Sequence, residues 1–324
     1  MVTGDLRSGG HTSALVKAAV LGGTAPSAHN SQPWRWRVGP DVLDLLLERS
    51  RVLATADPDA RLAVLSCGVA LHHARLELAA SGWLAEVERR PTDPGDHLAR
   101  IRLAGRTERS SRAGRLVRAS LLRRTDRRSR PSAPLDHDKL RTIAAAIRRE
   151  DTRLTLLRPP QTHLLAAAVR QSCEAEGDDP AALAELDQWV GVGRRSGTGI
   201  PAGVLGSGDR RQALQNAGTT AIRDVRDHVA VLAVLSTTAD TRPDRLRAGE
   251  ALSAGWLTAT TIEVSVLPLS SVIEVAASRS AIRDLIGDGH PQLVLRFAAG
   301  EPDSTLPRSP RLPAAAIIEH VGGE

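Results

Sequence analysis

Tyrosine is absent, phenylalanine and methionine occur once each, and cysteine occurs twice, at Cys67 and Cys173. With aromatics at 2% of residues, the core must be packed by Leu, Val, Ile and Ala around five Trp, and few rings are left to stack on a ligand. Neither cysteine belongs to a CxxC or to metal-like spacing, which argues against a disulfide framework and a zinc site and points to a reduced, cytoplasmic protein. His72-His73 near Cys67 makes no ligand set either, because adjacent residues on a helix point in different directions. No apolar run approaches the ~20 residues of a membrane span, and no basic segment followed by an apolar stretch opens the chain, so neither a span nor a leader is expected. Lysine is nearly missing as well: apart from Lys17 and Lys139, all of the 43 basic residues are Arg. Because Asp and Glu are interspersed with these Arg, the net charge of +6 and the pI near 10.6 carry little weight as a nucleic-acid signal.

What is present is an ordinary globular balance, 41% hydrophobic and 25% charged residues over 324 positions. Periodicity predicts a helix from Thr12 to Gly22, a hairpin of Trp34–Val38 and Val42–Leu47, a long helix from Asp59 to Ser81, and strands Trp83–Val87 and Leu98–Leu103. Asp57-Pro58 reads as a helix start rather than as an acid catalyst. The second part repeats that order with additions. Helices are expected near Arg112–Leu122, Asp136–Ile147, His163–Cys173, Arg245–Ile262 and Val272–Ile286, and strands at Arg153–Leu157, Val229–Leu235, the residues up to Leu267, and Gln292–Phe297. The chain is therefore α+β. Cys67-Gly68-Val69-Ala70-Leu71 and Ala248-Gly249-Glu250-Ala251-Leu252 share the pattern small-Gly-x-Ala-Leu in equivalent helices, which points to an internal duplication. Residues 177–220 carry nine glycines, seven of them between Gly191 and Gly208, together with apolar residues such as Trp189 and Ile200, a composition that suits a lid better than a solvated linker.

Two stretches carry chemistry. Pro26-Ser27-Ala28-His29-Asn30-Ser31-Gln32-Pro33-Trp34 joins a helix to a strand. Its prolines stiffen the loop, its small residues let a flat ligand approach the backbone, and the amides of Asn30 and Gln32 offer donors and acceptors. The residues alone leave two readings open, a loop that reads the rim of a heterocycle or a polar turn capped by its own Asn and Ser. Arg123-Arg124-Thr125-Asp126-Arg127-Arg128 sets four guanidiniums and a hydroxyl in six residues, which either chelate a phosphate through forked, charge-assisted hydrogen bonds or form a solvated basic loop.

The pattern PSxxNxQPW leading into a strand resembles the signature of the nitroreductase-like flavoproteins. The form AHNSQPWRW, followed by DPDARLAVLSCGVAL, is similar to the Acg-type branch found in actinobacteria, in which one chain holds two nitroreductase-like halves and mimics the usual homodimer. The resemblance runs from about Ala14 to Val321. It implies an FMN cofactor, with NAD(P)H as electron donor and a small nitro, quinone or similar electrophile as acceptor. It further implies two α/β halves, with antiparallel-rich mixed sheets flanked by helices, packed as a pseudo-dimer, spanning 12–106 and 107–321, with a Gly-rich lid at 177–220. On the family's pattern, Arg123, Arg124, Thr125 and Arg127 match the phosphate-binding motif, and Arg311 matches one basic residue of the C-terminal tail. Ser309 stands where the other basic residue is expected, beside Arg308. Pro26, Ser27, Ala28, Asn30 and Gln32 would meet the isoalloxazine. Ser270 and Ser271 occupy the place of a further ring-contacting loop, although the Glu and Gly of the family pattern are absent there.

The ring loop occurs only in the first half and the arginine loop only in the second. One flavin pocket per chain is therefore expected, in a monomer that needs neither nucleic acid nor membrane. The resemblance also leaves an alternative to turnover, an FMN-sequestering protein whose lid occludes the site.

Overall fold

A computed structural model describes residues 3–89, 95–125, 134–167, 180–189, 197–200, 230–300 and 308–321. The backbone is helical from Thr3 to Gly22 (α1), nine residues earlier than the glycines Gly4, Gly9 and Gly10 suggest. The hairpin forms as its alternation predicts: β1 (Trp34–Val38) buries Trp34, Trp36 and Val38 and turns Arg35 and Arg37 outward, against β2 (Val42–Leu47). Helix α2 (Arg61–Ala80) follows, then β3 (Trp83–Arg89) and β4 (His97–Arg106). Asp57 is the helix start expected of it, its carboxylate accepting from the backbone N–H groups of Leu62 and Ala63.

After α3 (Ser111–Leu122), helix α4 (His137–Arg148) and strand β5 (Arg153–Leu156) open the second half. Residues 159–167 are helical (α5), and α6 spans Pro180–Trp189. Then come β6 (Ala230–Thr237), α7 (Arg242–Thr261), β7 (Val264–Leu269), α8 (Ser271–Glu274), α9 (Ala276–Ile286), β8 (His290–Ala299) and β9 (Ile318–His320). The single helix expected over Val272–Ile286 is broken at Val275, whose extended backbone (ψ 124°) is held where the Ser278 hydroxyl donates to the carbonyls of Val272 and Val275.

The strands form two sheets, ordered β3-β4-β2-β1-β9 and β5-β6-β8-β7, antiparallel except for the β1–β9 pair. The last strand thus returns to complete the first sheet, where Glu319 meets Arg35 and Arg37. Between the sheets α2 and α7 cross in direct backbone contact, and one continuous hydrophobic cluster runs through both halves. A Cβ on Gly68 would lie 2.0 Å from the Leu246 carbonyl oxygen, and one on Gly249 would lie 1.9 Å from that of Leu65. The two contacts exchange under a pseudo-two-fold axis. On that axis His72 Nδ1 and Ser253 Oγ, 181 positions apart like the glycines, meet at 2.8 Å. This is the α+β pseudo-dimer the sequence resemblance implies, and the small-Gly-x-Ala-Leu repeat marks its centre.

Candidate functional site

The loop from α1 to β1 is strained. His29, Asn30 and Gln32 all have positive φ (48°, 55° and 52°), a region that non-glycine residues occupy at a cost of ~1–3 kcal/mol each. Such a backbone persists only where its surroundings over-determine it, and here they do. The Gln32 N–H donates to Ser27 Oγ (2.9 Å), the Ala28 N–H to Ser66 Oγ (3.3 Å), and Arg51 Nη1 to the Gln32 carbonyl (3.0 Å). Buried Gln32 donates to the Gly197 carbonyl (2.8 Å) and accepts from the Leu312 N–H (2.9 Å). Asn30 donates to the carbonyls of Gly199 and Pro310 (3.0 Å each) and accepts from Arg311 Nη1 (2.9 Å). Both amides therefore fasten the loop to the C-terminal tail and to residues 197–200.

The arginines converge on the same loop. Arg123, at the C-terminal end of α3, lies buried with its guanidinium 4.5 Å from the centre of the Trp256 ring. Its Nε has no hydrogen-bond partner among the described residues. Burial, reinforced by repulsion from Arg311 and Arg124, pulls its pKa down to about 9. Arg311 donates to the Thr24 carbonyl through Nε and Nη2, and burial with Arg124 nearby lowers its pKa to about 10. Arg124 and Arg308 both donate to the carbonyl of Leu121 at the end of α3. Among the described residues none of these four guanidiniums forms an ion pair with a carboxylate. Elsewhere in the molecule buried Arg61 is paired with Asp240 (2.5 Å), and half-buried Arg75 with Glu150 (2.8 Å) and Glu250 (2.6 Å). His73, fully buried beside the cluster, is held neutral by burial and by Arg123, its pKa lowered to about 3. It reaches Thr24 Oγ1 through Nδ1 at 3.3 Å.

A cavity of about 220 Å³ opens at this junction, lined by Pro26, Ser27, Asn30, Arg123, Arg124, Thr125 and Arg311 among others. Two separate stretches of sequence, 97 residues apart at Pro26 and Arg123 (123 − 26), are thus brought to one cavity, together with the tail. Among the described residues the cavity lining is concave and cationic and holds no carboxylate, an arrangement that suits an anion.

No family model matches the chain. A protein of Mycobacterium tuberculosis provisionally named NAD(P)H nitroreductase Rv3131 is 36% identical over 309 residues, 91% of this chain and 88% of its own length. One provisionally named NAD(P)H nitroreductase acg, from the same organism, is 36% identical over 323 residues, 95% of this chain and 96% of its own. The chain belongs to the Acg-type nitroreductases. Among solved structures, the FMN and NADPH-dependent nitroreductase NfnB of a Sphigopyxis species is matched at 16% identity over 64% of this chain and 99% of that one, with a TM-score of 0.44. The FMN-dependent nitroreductase NfnB of Mycobacterium smegmatis, in complex with NADPH, is matched at 18% identity over 64% and 97%, with a TM-score of 0.38.

In this nitroreductase the other residues singled out from sequence fall as follows. Ala28 and Gln32 hold the loop from behind and do not line the cavity. Ser270 and Ser271, where β7 passes into α8, are not among its lining residues either. Arg127 lies outside the described residues, as does most of 177–220. Of the latter region, Ile200 lines the cavity, and its N–H donates to the carbonyl of buried Trp189 (2.8 Å). Sequence reasoning missed Trp256 and His73. Both lie within about one turn of the small-Gly-x-Ala-Leu repeat, but that pattern marks packing rather than a ligand, and their roles arise only from the crossing of α2 and α7.

Proposed function

We propose that this nitroreductase binds one FMN per chain and acts as an oxidoreductase that passes electrons from NAD(P)H to a small nitro, quinone or similar electrophile. The observation that carries the reading is the buried Arg123 guanidinium, which among the described residues has no carboxylate and no partner for its Nε, in a cavity shared with Arg124, Arg308 and Arg311. Such a cluster is electrostatically incomplete, and a phosphate dianion satisfies it. The donor set fits the phosphate end of the cofactor, held by Arg123, Arg124, Thr125 and Arg311, with Arg127 and Arg308 as further cations. The strained backbone at Pro26, Ser27 and Asn30 provides the neighbouring wall, suited to the flat edge of the ring, with Ala28 and Gln32 keeping it in place. At about 220 Å³ the cavity lies below the roughly 300–1,000 Å³ of a whole small-ligand pocket, so the described residues account for the anionic end rather than for the whole cofactor. Flavin, when bound, supplies the redox chemistry, so the chain provides binding, orientation and electrostatics and needs no side-chain general base.

One observation favours the second reading, an FMN-sequestering protein. Gly197 and Gly199 are hydrogen-bonded directly to Gln32 and Asn30, so part of the Gly-rich region is fastened onto the flavin loop. Purification followed by flavin extraction and rapid mixing tests both. About one FMN per chain, reduced by NADPH and reoxidised by a quinone, is expected of the enzyme. Flavin bleached by dithionite but untouched by NADPH or NADH supports sequestration. A protein that binds no FMN, or two per chain, overturns the proposal.

A further inference from the structure

The pseudo-two-fold axis that exchanges Gly68 with Gly249 also carries the flavin-side cavity onto a second one. At the 181-residue interval set by His72 and Ser253, His73 corresponds to Ala254 and Trp256 corresponds to Arg75. The loop after α1 corresponds to residues 149–152 after α4. Ala254, Arg75, Arg149 and Glu150 line a separate cavity of about 500 Å³, closed by the N-terminal part of α3, whose C-terminal end closes the first. The mate of the flavin site therefore persists as space, and its chemistry has changed. The eleven-residue strained loop is replaced by a short turn that brings in the Glu150 carboxylate. Buried Glu250 (2.6 Å) and that carboxylate (2.8 Å) together neutralise the half-buried Arg75, so among the described residues its guanidinium is not left unpaired to hold a phosphate.

What remains is an apolar floor under a cationic mouth. Leu76, Leu116 and Ala146 are buried at the base, and the Trp83 indole forms a wall. At the rim Arg112 and Arg149 are exposed, and neither forms an ion pair among the described residues; of the two acids that line the cavity, Glu150 is paired with Arg75 and Glu108 lies at the edge. The volume lies within the range of small-molecule sites. We propose that this cavity is a second ligand site, distinct from the flavin site, taking a small organic carboxylate with an aromatic or branched apolar body. The body would cover Leu116 and Trp83, and the carboxylate would lie between Arg112 and Arg149, whose forked N–H groups match its geometry. The inference does not depend on what fills the first cavity.

The test uses the full chain as purified, with whatever flavin it carries, and 2-naphthoate as probe, followed by titration calorimetry. Saturable binding of one naphthoate per chain is expected, with flavin absorbance per chain unchanged on addition. Ala85→Trp, which fills the cavity from β3, and the exposed pair Arg112→Glu with Arg149→Glu should each weaken binding by roughly tenfold or more. The neutral analogue 2-naphthalenemethanol should bind the unaltered protein more weakly than naphthoate and should be indifferent to the arginine substitutions. Absence of saturable binding overturns the proposal. So does binding that added FMN displaces, or that both variants retain while their unfolding midpoints match the parent.

Discussion

Arg123 and Arg311 carry the same charge but differ in what each can give to an anion. Arg311 already spends its donors on Thr24, Asn30 and its own tail, whereas Arg123 has no hydrogen bond from its guanidinium among the described residues and rests on an indole face. Arg123→Met should therefore weaken FMN by roughly tenfold to a hundredfold, the worth of one charge-assisted bond, while leaving riboflavin within a factor of two or so. Arg123→Lys should recover only part of the loss, since an ammonium neither forks nor stacks. Equal losses for the two flavins would show that Arg123 supports the fold instead. The depressed pKa values add a second expectation. Both guanidiniums must be charged to hold a phosphate, and they lose protons as pH rises through about 9 and about 10, so the preference for FMN over riboflavin should shrink between pH 8 and pH 10.5. A preference constant over that range would mean that other groups hold the phosphate. At this scale the arginine motif and the PSAHNSQPW loop were legible because each is contiguous. The partners of Gln32 were not, because a buried amide says that it needs bonds and not that Gly197 and Leu312, 165 and 280 positions away, will supply them.

Among elements, the crossing of α2 and α7 decides most of the architecture, and it rests on two glycines with no room for a side chain. The atoms they touch are backbone carbonyls of well-packed helices, which cannot rotate aside as a flexible side chain would. Gly68→Ala should cost about 3 kcal/mol or more in denaturant unfolding, or abolish folding, and Gly249→Ala likewise. Gly114→Ala in α3 is the contrast. Nothing lies within 4 Å of its added methyl, so it should be neutral or stabilising by up to ~1 kcal/mol. Similar values for Gly68→Ala and Gly114→Ala would refute a packing role at the crossing. The repeat that marks this contact was readable from a five-residue pattern with three identities, and the hairpin from strict alternation. Strand β9 was not readable, since three residues of a tail carry no periodicity and their place beside β1 is set by the rest of the sheet. The break at Val275 was equally hidden, because the Ser278 hydroxyl that holds it belongs to an otherwise regular helical pattern.

Across the whole molecule, burial of ionisable groups sets how the fold responds to acid, and the contributions oppose one another. His73 has its pKa lowered from 6.5 to about 3 by burial and Arg123, and His72 is held well below its ordinary value by burial and Arg75. Histidines of this kind are bound neutral, so as pH falls below 6.5 the unfolded chain takes up protons that the native state refuses, and stability drops until the folded pKa is reached. Asp57 works the other way. Burial raises its pKa to about 6 against the backbone bonds from Ala63 and Leu62, so the native state takes up a proton first and gains stability as pH falls from about 6 toward 4. Between pH 7 and pH 5 the linkage gives ~2 kcal/mol lost through His73 and ~1 kcal/mol gained through Asp57, and His72 adds to the loss. The histidines win. The unfolding midpoint should therefore fall from pH 7 to pH 5, and His73→Gln, which keeps a polar group toward Thr24 without a titrating ring, should reduce that fall. A midpoint that holds steady or rises over this range would show that the buried histidines are not neutral in the fold, and with them would go the cationic field that the arginine cluster is read as casting over the first cavity.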